Sequence, residues 1–222
     1  MSTDRDFYET AYHFDEDVVG AGEDRLWRAM RYLEPLAGTA FLDLGSGVGW
    51  AARLANERGR VGVAVGVDFA FRALRLGADS IPGVARVQGD GTRLPFRDGS
   101  FDRVLSFGSI EHFPDVAAGV RELARVMTPQ GRAVVVVPNF YVRTEQPSEL
   151  RLGHRNWSRL FADGGLRVVR TDADRGPAVF RDRRPARVVF RAGAKLLSVV
   201  PGMQYQFIFV LTRQHVPARL MT

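Results

Sequence analysis

The strongest constraint on the fold is a series of short apolar runs, each ending in a polar turn. Val61-Gly62-Val63-Ala64-Val65-Gly66-Val67 leads into Asp68, and Ala133-Val134-Val135-Val136-Val137 leads into Pro138-Asn139. Runs this uniformly apolar suit strands buried on both faces, as in a parallel sheet covered by helices. Two more runs of the kind are Ala40–Leu44 and Phe101–Phe107, and a shorter one lies near Val84–Gln88. Amphipathic stretches separate them: 50–57, 69–78 and 114–127. Strands and helices alternating with short loops predict a doubly wound α/β sheet with helices on both faces. Ligands on such sheets bind at the carboxyl ends of the strands.

Four polar turns fall at that edge. The first is Asp43-Leu44-Gly45-Ser46-Gly47-Val48-Gly49, running into the helix that starts near Trp50. Glycines at alternate positions let the backbone turn sharply and offer bare N–H groups to a ligand. The spacing is G-x-G-x-G and not the G-x-G-x-x-G of hydride-transfer folds. Asp43 places a carboxylate where a pyrophosphate should sit, which suits a ligand carrying a cation. The second turn is Asp68-Phe69. An acid there, about 20 residues past the glycines, accepts ribose hydroxyls in nucleoside-binding folds; its alternative role is the N-cap of the helix beginning at Phe69. The third is Gly89-Asp90-Gly91-Thr92, where Asp90 contacts a cofactor or makes an Asx turn. The fourth follows Phe107 as Gly108-Ser109-Ile110-Glu111-His112-Phe113. His112 is the candidate general base, or it braces the loop beside Pro114. Glu111 is read as solvated, or as capping a helix that starts at Pro114.

Composition narrows the chemistry. The 222 residues suffice for one well-buried domain. The expected division of this single domain is an N-terminal helical lid (1–38), a core that carries the polar turns (39–140) and a C-terminal elaboration (141–222). The chain has no cysteine, which excludes disulfides, thiolate metal sites and cysteine nucleophiles. Its four histidines, His13, His112, His154 and His215, are far apart in sequence, so no metal site is expected. The net charge is +6, with acids gathered near the N-terminus and arginines towards the C-terminus. Such asymmetry can mark nucleic-acid or membrane surfaces. With Lys195 the single lysine, arginine on solvated faces is the plainer reading, and a nucleic-acid partner is not expected. The basic amphipathic stretch 186–200 could lie on a membrane, but packing on the sheet is favoured. The polar, acidic start is unlike a signal peptide, no apolar run approaches a membrane span, and a cytoplasmic location is expected.

The ordered set of motifs resembles the class I S-adenosylmethionine-dependent methyltransferases, of the small-molecule type called type 11. Leu42-Asp43-Leu44-Gly45-Ser46-Gly47-Val48-Gly49 resembles the motif that wraps the methionine part of the cofactor, and Val67-Asp68 the acid that binds both ribose hydroxyls. Gly89–Phe96 resembles the turn whose aspartate accepts from the adenine amino group. Phe101–Val104 through Ile110–Phe113 resembles the fourth strand and the loop facing the transferred methyl. Leu123–Gly131 resembles the helix and turn before strand five.

The resemblance implies a Rossmann-like seven-stranded sheet whose last strand, near Tyr205–Thr212, is antiparallel. It implies S-adenosyl-L-methionine as cofactor and S-adenosyl-L-homocysteine as product. Asp43, Gly45, Ser46, Gly47, Gly49, Asp68, Phe69, Asp90, Gly91, Phe107 and the lid residue Tyr12 are expected at the cofactor, and His112 at the reacting methyl. Tyr8 and His13 resemble further lid residues, and His154 is expected in a substrate-side loop. The implied activity is O- or N-methylation of a small or medium-sized acceptor. RNA or protein methylation is the alternative, as is a non-catalytic cofactor-binding regulator.

Overall fold

A computed structural model describes residues 7–10, 21–141, 149–174 and 205–214. Seven strands form one sheet: β1 Ala40–Leu44, β2 Val63–Asp68, β3 Ala85–Gln88, β4 Phe101–Phe107, β5 Met127–Pro138, β6 Leu166–Asp174 and β7 Gln206–Arg213. Five helices accompany them among the described residues: α1 Ala21–Met30, α2 Trp50–Glu57, α3 Phe71–Ser80, α4 Val116–Val126 and α5 His154–Asp163. Residues 7–10 are also helical. The strand order is β3-β2-β1-β4-β5-β7-β6. β1 through β5 pair in parallel, and β7 runs antiparallel to both β5 and β6. This is the doubly wound sheet with a reversed last strand.

Period-two alternation sorts side chains between two cores. Phe41, Leu105, Val134, Val136, Ile208 and Val210 face one side, with Met30, Leu33, Leu54 and Ala73 from the first three helices and the turn after α1. Leu42, Val104, Val135, Val137, Phe207 and Phe209 face the other, with Val120, Leu123, Trp157 and Phe161 from α4 and α5. Both faces are therefore covered, which is what the uniformly apolar strand sequences require. No helix among the described residues is long and apolar enough to cross a membrane.

Several boundaries differ from the sequence reading. α4 begins at Val116 and not at Pro114; Asp115 is its N-cap, its side chain accepting from Ala118 N–H at 2.8 Å. α3 starts at Phe71, two residues late. The turn Thr128–Gly131 loops out within the span of β5, where the register with β4 shifts between Phe101 and Arg103. β6 runs on to Asp174 because it pairs with β7 as far as Gln206. Tyr12, His13 and the stretch 186–200 lie outside the described residues.

Candidate active site

The chain moves outward from β1 to β3, then returns to β4, so the strand order reverses between β1 and β4. A crevice at such a switch point is the expected ligand site. Here its two sides are stitched together. Ser109, after β4, donates its Oγ hydrogen to the Leu44 carbonyl at 2.7 Å. A Cβ on Gly45 would lie only 2.3 Å from Ser109 Cβ, and the Gly45 φ is +75°. Glycine is required there for backbone conformation and for close approach.

The N–H groups of the glycine turn are not bare, contrary to expectation. Gly45 and Ser46 both donate to the Val67 carbonyl, at 2.9 and 3.0 Å, and Gly49 donates to Ser46 at 2.9 Å. Gly47 donates to Asp68 Oδ2 at 2.8 Å. The helix that follows already has an anion at its start: Asp43 Oδ2 accepts from Ala52 N–H, in the first turn of α2, at 3.3 Å. A helix N-terminus normally recruits a phosphate through free N–H groups and its positive dipole end. In this chain an internal carboxylate fills that place.

Asp43 is buried, and desolvation pushes its carboxyl up to about 7, opposed by the Ala52 N–H and reinforced by the charge of Asp68. Asp68 is likewise raised, chiefly by desolvation, against the N–H groups bonded to it. Two carboxylates beside one turn create a demand for positive charge.

Asp68 is not the cap of α3. Its Oδ1 accepts from Ala70 N–H at 2.9 Å, and the first N–H groups of the helix go elsewhere. Glu9 takes them, with Phe71 N–H donating at 2.8 Å and Arg72 N–H at 3.0 Å. The two Asp68 oxygens offer about four acceptor positions, so these backbone bonds leave capacity for a ligand hydroxyl. The same N-terminal segment sets Tyr8 edge-on to Phe69, with centroids 5.4 Å apart, and 6.1 Å from the His112 ring. Phe69, Tyr8 and His112 therefore converge from three parts of the chain. Asp90 makes the Asx turn, its Oδ1 accepting from Thr92 N–H and Oγ at 2.8 Å each. Gly91 lies under the Phe113 ring, which a Cβ would meet at 2.2 Å. That contact joins the third polar turn to the fourth.

On the far side, Phe107 carries the Arg25 guanidinium 4.7 Å from its ring centroid. Arg25 also donates to Asp174 Oδ2 through Nε at 2.7 Å, and to Gln206 Oε1. This ties α1 across the carboxyl edge to the ends of β4 and β6 and the start of β7.

Two expectations fail here. Glu111 is buried, neither solvated nor a helix cap, and burial pushes its carboxyl up to about 8, with Glu149 adding to the rise. His154 opens α5 and does not sit in a loop. Its ring packs on Phe207 and Phe209, and Nε2 lies 3.0 Å from Thr171 Oγ. It belongs to the sheet's packing.

The residues that the motif reading misses are Glu9, Arg25, Arg86 and Glu149, and it names Ser109 and Phe113 without giving them a role. Arg86 lies on β3 with its guanidinium among the carbonyls of Val48, Gly77, Ile81 and Val84 at 2.6–3.2 Å. It fastens the end of α3 to the glycine turn. Most of these act through contacts distant in sequence, so no local pattern announces them.

The family model described as "Methyltransferase domain" matches residues 42–135. The chain is 39% identical over 138 residues to a demethylmenaquinone methyltransferase of Corynebacterium kroppenstedtii, covering 58% of each chain. It is 34% identical over 172 residues to a demethylmenaquinone methyltransferase of Clavibacter sepedonicus, covering 69% of each. The chain thus spans somewhat over half the length of the first of these relatives. Among solved structures, the complex between the Haloferax volcanii Trm112 methyltransferase activator and a methyltransferase shares the fold. The TM-score is 0.69 and the identity 22%, covering 87% of this chain and 92% of that one.

The family's cofactor, S-adenosylmethionine, carries a sulfonium cation on a nucleoside and no phosphate. A turn whose four N–H groups at Gly45, Ser46, Gly47 and Gly49 are bonded within the chain, a carboxylate at the helix start and spare acceptor capacity on Asp68 fit that ligand and disfavour a dinucleotide. Sequence, topology and site agree: the chain belongs to the class I S-adenosylmethionine-dependent methyltransferase family.

Proposed function

We propose that this chain transfers the methyl group of S-adenosylmethionine to a small or medium-sized acceptor. The observation that carries the reading is the Asp43 carboxylate seated at the start of α2, behind a glycine turn whose Gly45, Ser46, Gly47 and Gly49 N–H groups are bonded within the chain. Asp68 and Asp90 would hold the nucleoside, and the 45–49 turn the amino-acid end. When bound, the cofactor supplies an electrophilic methyl on sulfur.

Methyl transfer is an in-line displacement, so the protein's main task is to align the partners in a site poor in water. The Tyr8, Phe69 and His112 rings close one side of that space, and the Arg25 contact with Phe107 and Asp174 closes another. On this reading His112, whose ring stands beside Tyr8, accepts a proton from the acceptor. The sequence reading puts the methyl on oxygen or nitrogen. The names of the relatives support an acceptor of the quinone type, which adds a ring carbon to the candidate atoms.

The test is calorimetry with S-adenosylhomocysteine, followed by labelled methyl transfer into reduced demethylmenaquinone and into simple phenols and amines. Binding with transfer to the reduced quinone is the expected result. Failure to bind S-adenosylhomocysteine would sink the reading. Binding with transfer to another class would move the acceptor and leave the activity.

A further inference from the structure

One group of side chains at this edge is not accounted for by cofactor binding. Glu111 and His112 lie on the single 3-10 turn Ile110–His112 that follows β4. Glu149 is brought beside them where the chain returns, because Leu150 N–H donates to the Glu111 carbonyl at 2.8 Å. Potential ligand atoms of Glu111, His112 and Glu149 all lie within 4.8 Å of one another. Glu111 is 2% exposed, and its Oε2 has no hydrogen-bond partner among the described residues. A buried carboxylate oxygen left unpaired is costly, and a second carboxylate beside it raises that cost. Arg151 reaches Glu149, with its Nε 3.8 Å away. That pairing serves Glu149 and leaves the Glu111 oxygen open.

We propose that Glu111, His112 and Glu149 bind a divalent metal ion of the Mg2+/Mn2+ class. Two carboxylates and one imidazole, with no thiolate, form a predominantly hard donor set that suits such ions. Three protein ligands leave coordination positions for water or an oxygen of a second molecule. The cluster stands on the loop after β4, beside the switch point, where the acceptor must approach. Its consequence for catalysis rests on the methyl-transfer reading: a hydroxyl held on the metal becomes more acidic. His112 then serves as a ligand and not as the base: the metal lowers the pKa of the hydroxyl, and the proton it sheds passes to solvent water. The binding itself does not depend on that reading.

The experiment is a titration of the full chain with Mn2+, followed by the loss of the free-ion electron paramagnetic resonance signal. Calorimetry with S-adenosylhomocysteine runs in parallel. The wild type is expected to take up one Mn2+ per chain, displaceable by Mg2+. E111Q and E149Q should each weaken uptake at least tenfold, while E57Q, an exposed carboxylate in α2, should leave it unchanged. Should E111Q fail to fold, E149Q decides alone. Absence of saturable uptake, or uptake indifferent to the glutamine variants, overturns the proposal even where S-adenosylhomocysteine still binds. Intact Mn2+ uptake without S-adenosylhomocysteine binding would support the metal site and sink the methyl-transfer reading.

Discussion

Asp68 Oδ2 accepts the Gly47 N–H at 2.8 Å, across 21 residues of sequence. The glycine turn and the acid at the end of β2 are therefore one structural unit, and a change to either alters both. Asp68→Ala should weaken S-adenosylhomocysteine binding about 10- to 100-fold, since a charge-assisted hydrogen bond contributes about 1.5–3 kcal/mol. It should also loosen the turn. Calorimetry measures the first effect, and hydrogen exchange at the Gly47 amide the second. Unchanged affinity would remove Asp68 from the ribose site.

Asp43 makes stability depend on pH. Its folded carboxyl lies at about 7 against 3.8 for a free side chain. The unfolded form ionises first, so this group costs nothing at pH below the free value and progressively more as pH rises to about 7. By linkage the loss approaches about 4 kcal/mol at most. Asp43→Asn, which can still accept from Ala52, should flatten that part of the stability profile in urea titrations across roughly pH 4–8.

The same shift predicts proton release on binding. A cationic ligand favours ionised Asp43, so near neutral pH the wild type should release protons as S-adenosylmethionine binds. Asp43→Asn should release fewer and bind more weakly. Calorimetry in two buffers of different ionisation enthalpy measures the count. Equal release from both proteins would show that Asp43 does not sense the ligand.

Gly45→Ala should destabilise the protein by roughly 2–5 kcal/mol, because it combines a left-handed backbone with a Cβ driven into Ser109. Removing the obstacle with Ser109→Gly should recover the steric part and leave the backbone part. A double-mutant cycle from denaturant titrations separates them. Additive effects would mean that the two residues do not collide.

Arg86→Met leaves carbonyls of Val48, Gly77, Ile81 and Val84 without their donor, and should cost about 2–4 kcal/mol. Arg86→Lys should recover only part of the loss, because a single ammonium cannot span the acceptors that the guanidinium reaches. Thermal melts of the two variants provide the comparison.

The fold is legible in the sequence because its strands are apolar on both faces and its turns carry the expected residues. In the run Ala133-Val134-Val135-Val136-Val137 all five side chains are buried, with alternate valines serving opposite cores. The glycine turn is legible in position, but its hydrogen bonds are not. Whether an N–H is free depends on the Val67 carbonyl and on Asp68, and Asp68 stands 21 residues beyond the Gly47 it binds. Glu9 capping α3 from 62 residues away leaves no local mark. Glu111 reads as solvated because nothing in the neighbouring letters announces that Glu149 and Leu150 will fold back over it. The starts of α3 and α4 slip by two residues from the sequence reading. At α4 the N-cap Asp115 takes the place of an expected helical residue, and at α3 the distant Glu9 holds the first N–H groups.

The placement of β7 has a consequence for synthesis. It lies between β5 and β6 in the sheet, yet a ribosome delivers it after both. Until residues 206–213 leave the exit tunnel, β5 and β6 have no common partner, and the apolar edge of β5 is unpaired. Release of the last strand thus triggers closure of the interior of the sheet, and a nascent chain halted just before it would expose a sticky edge.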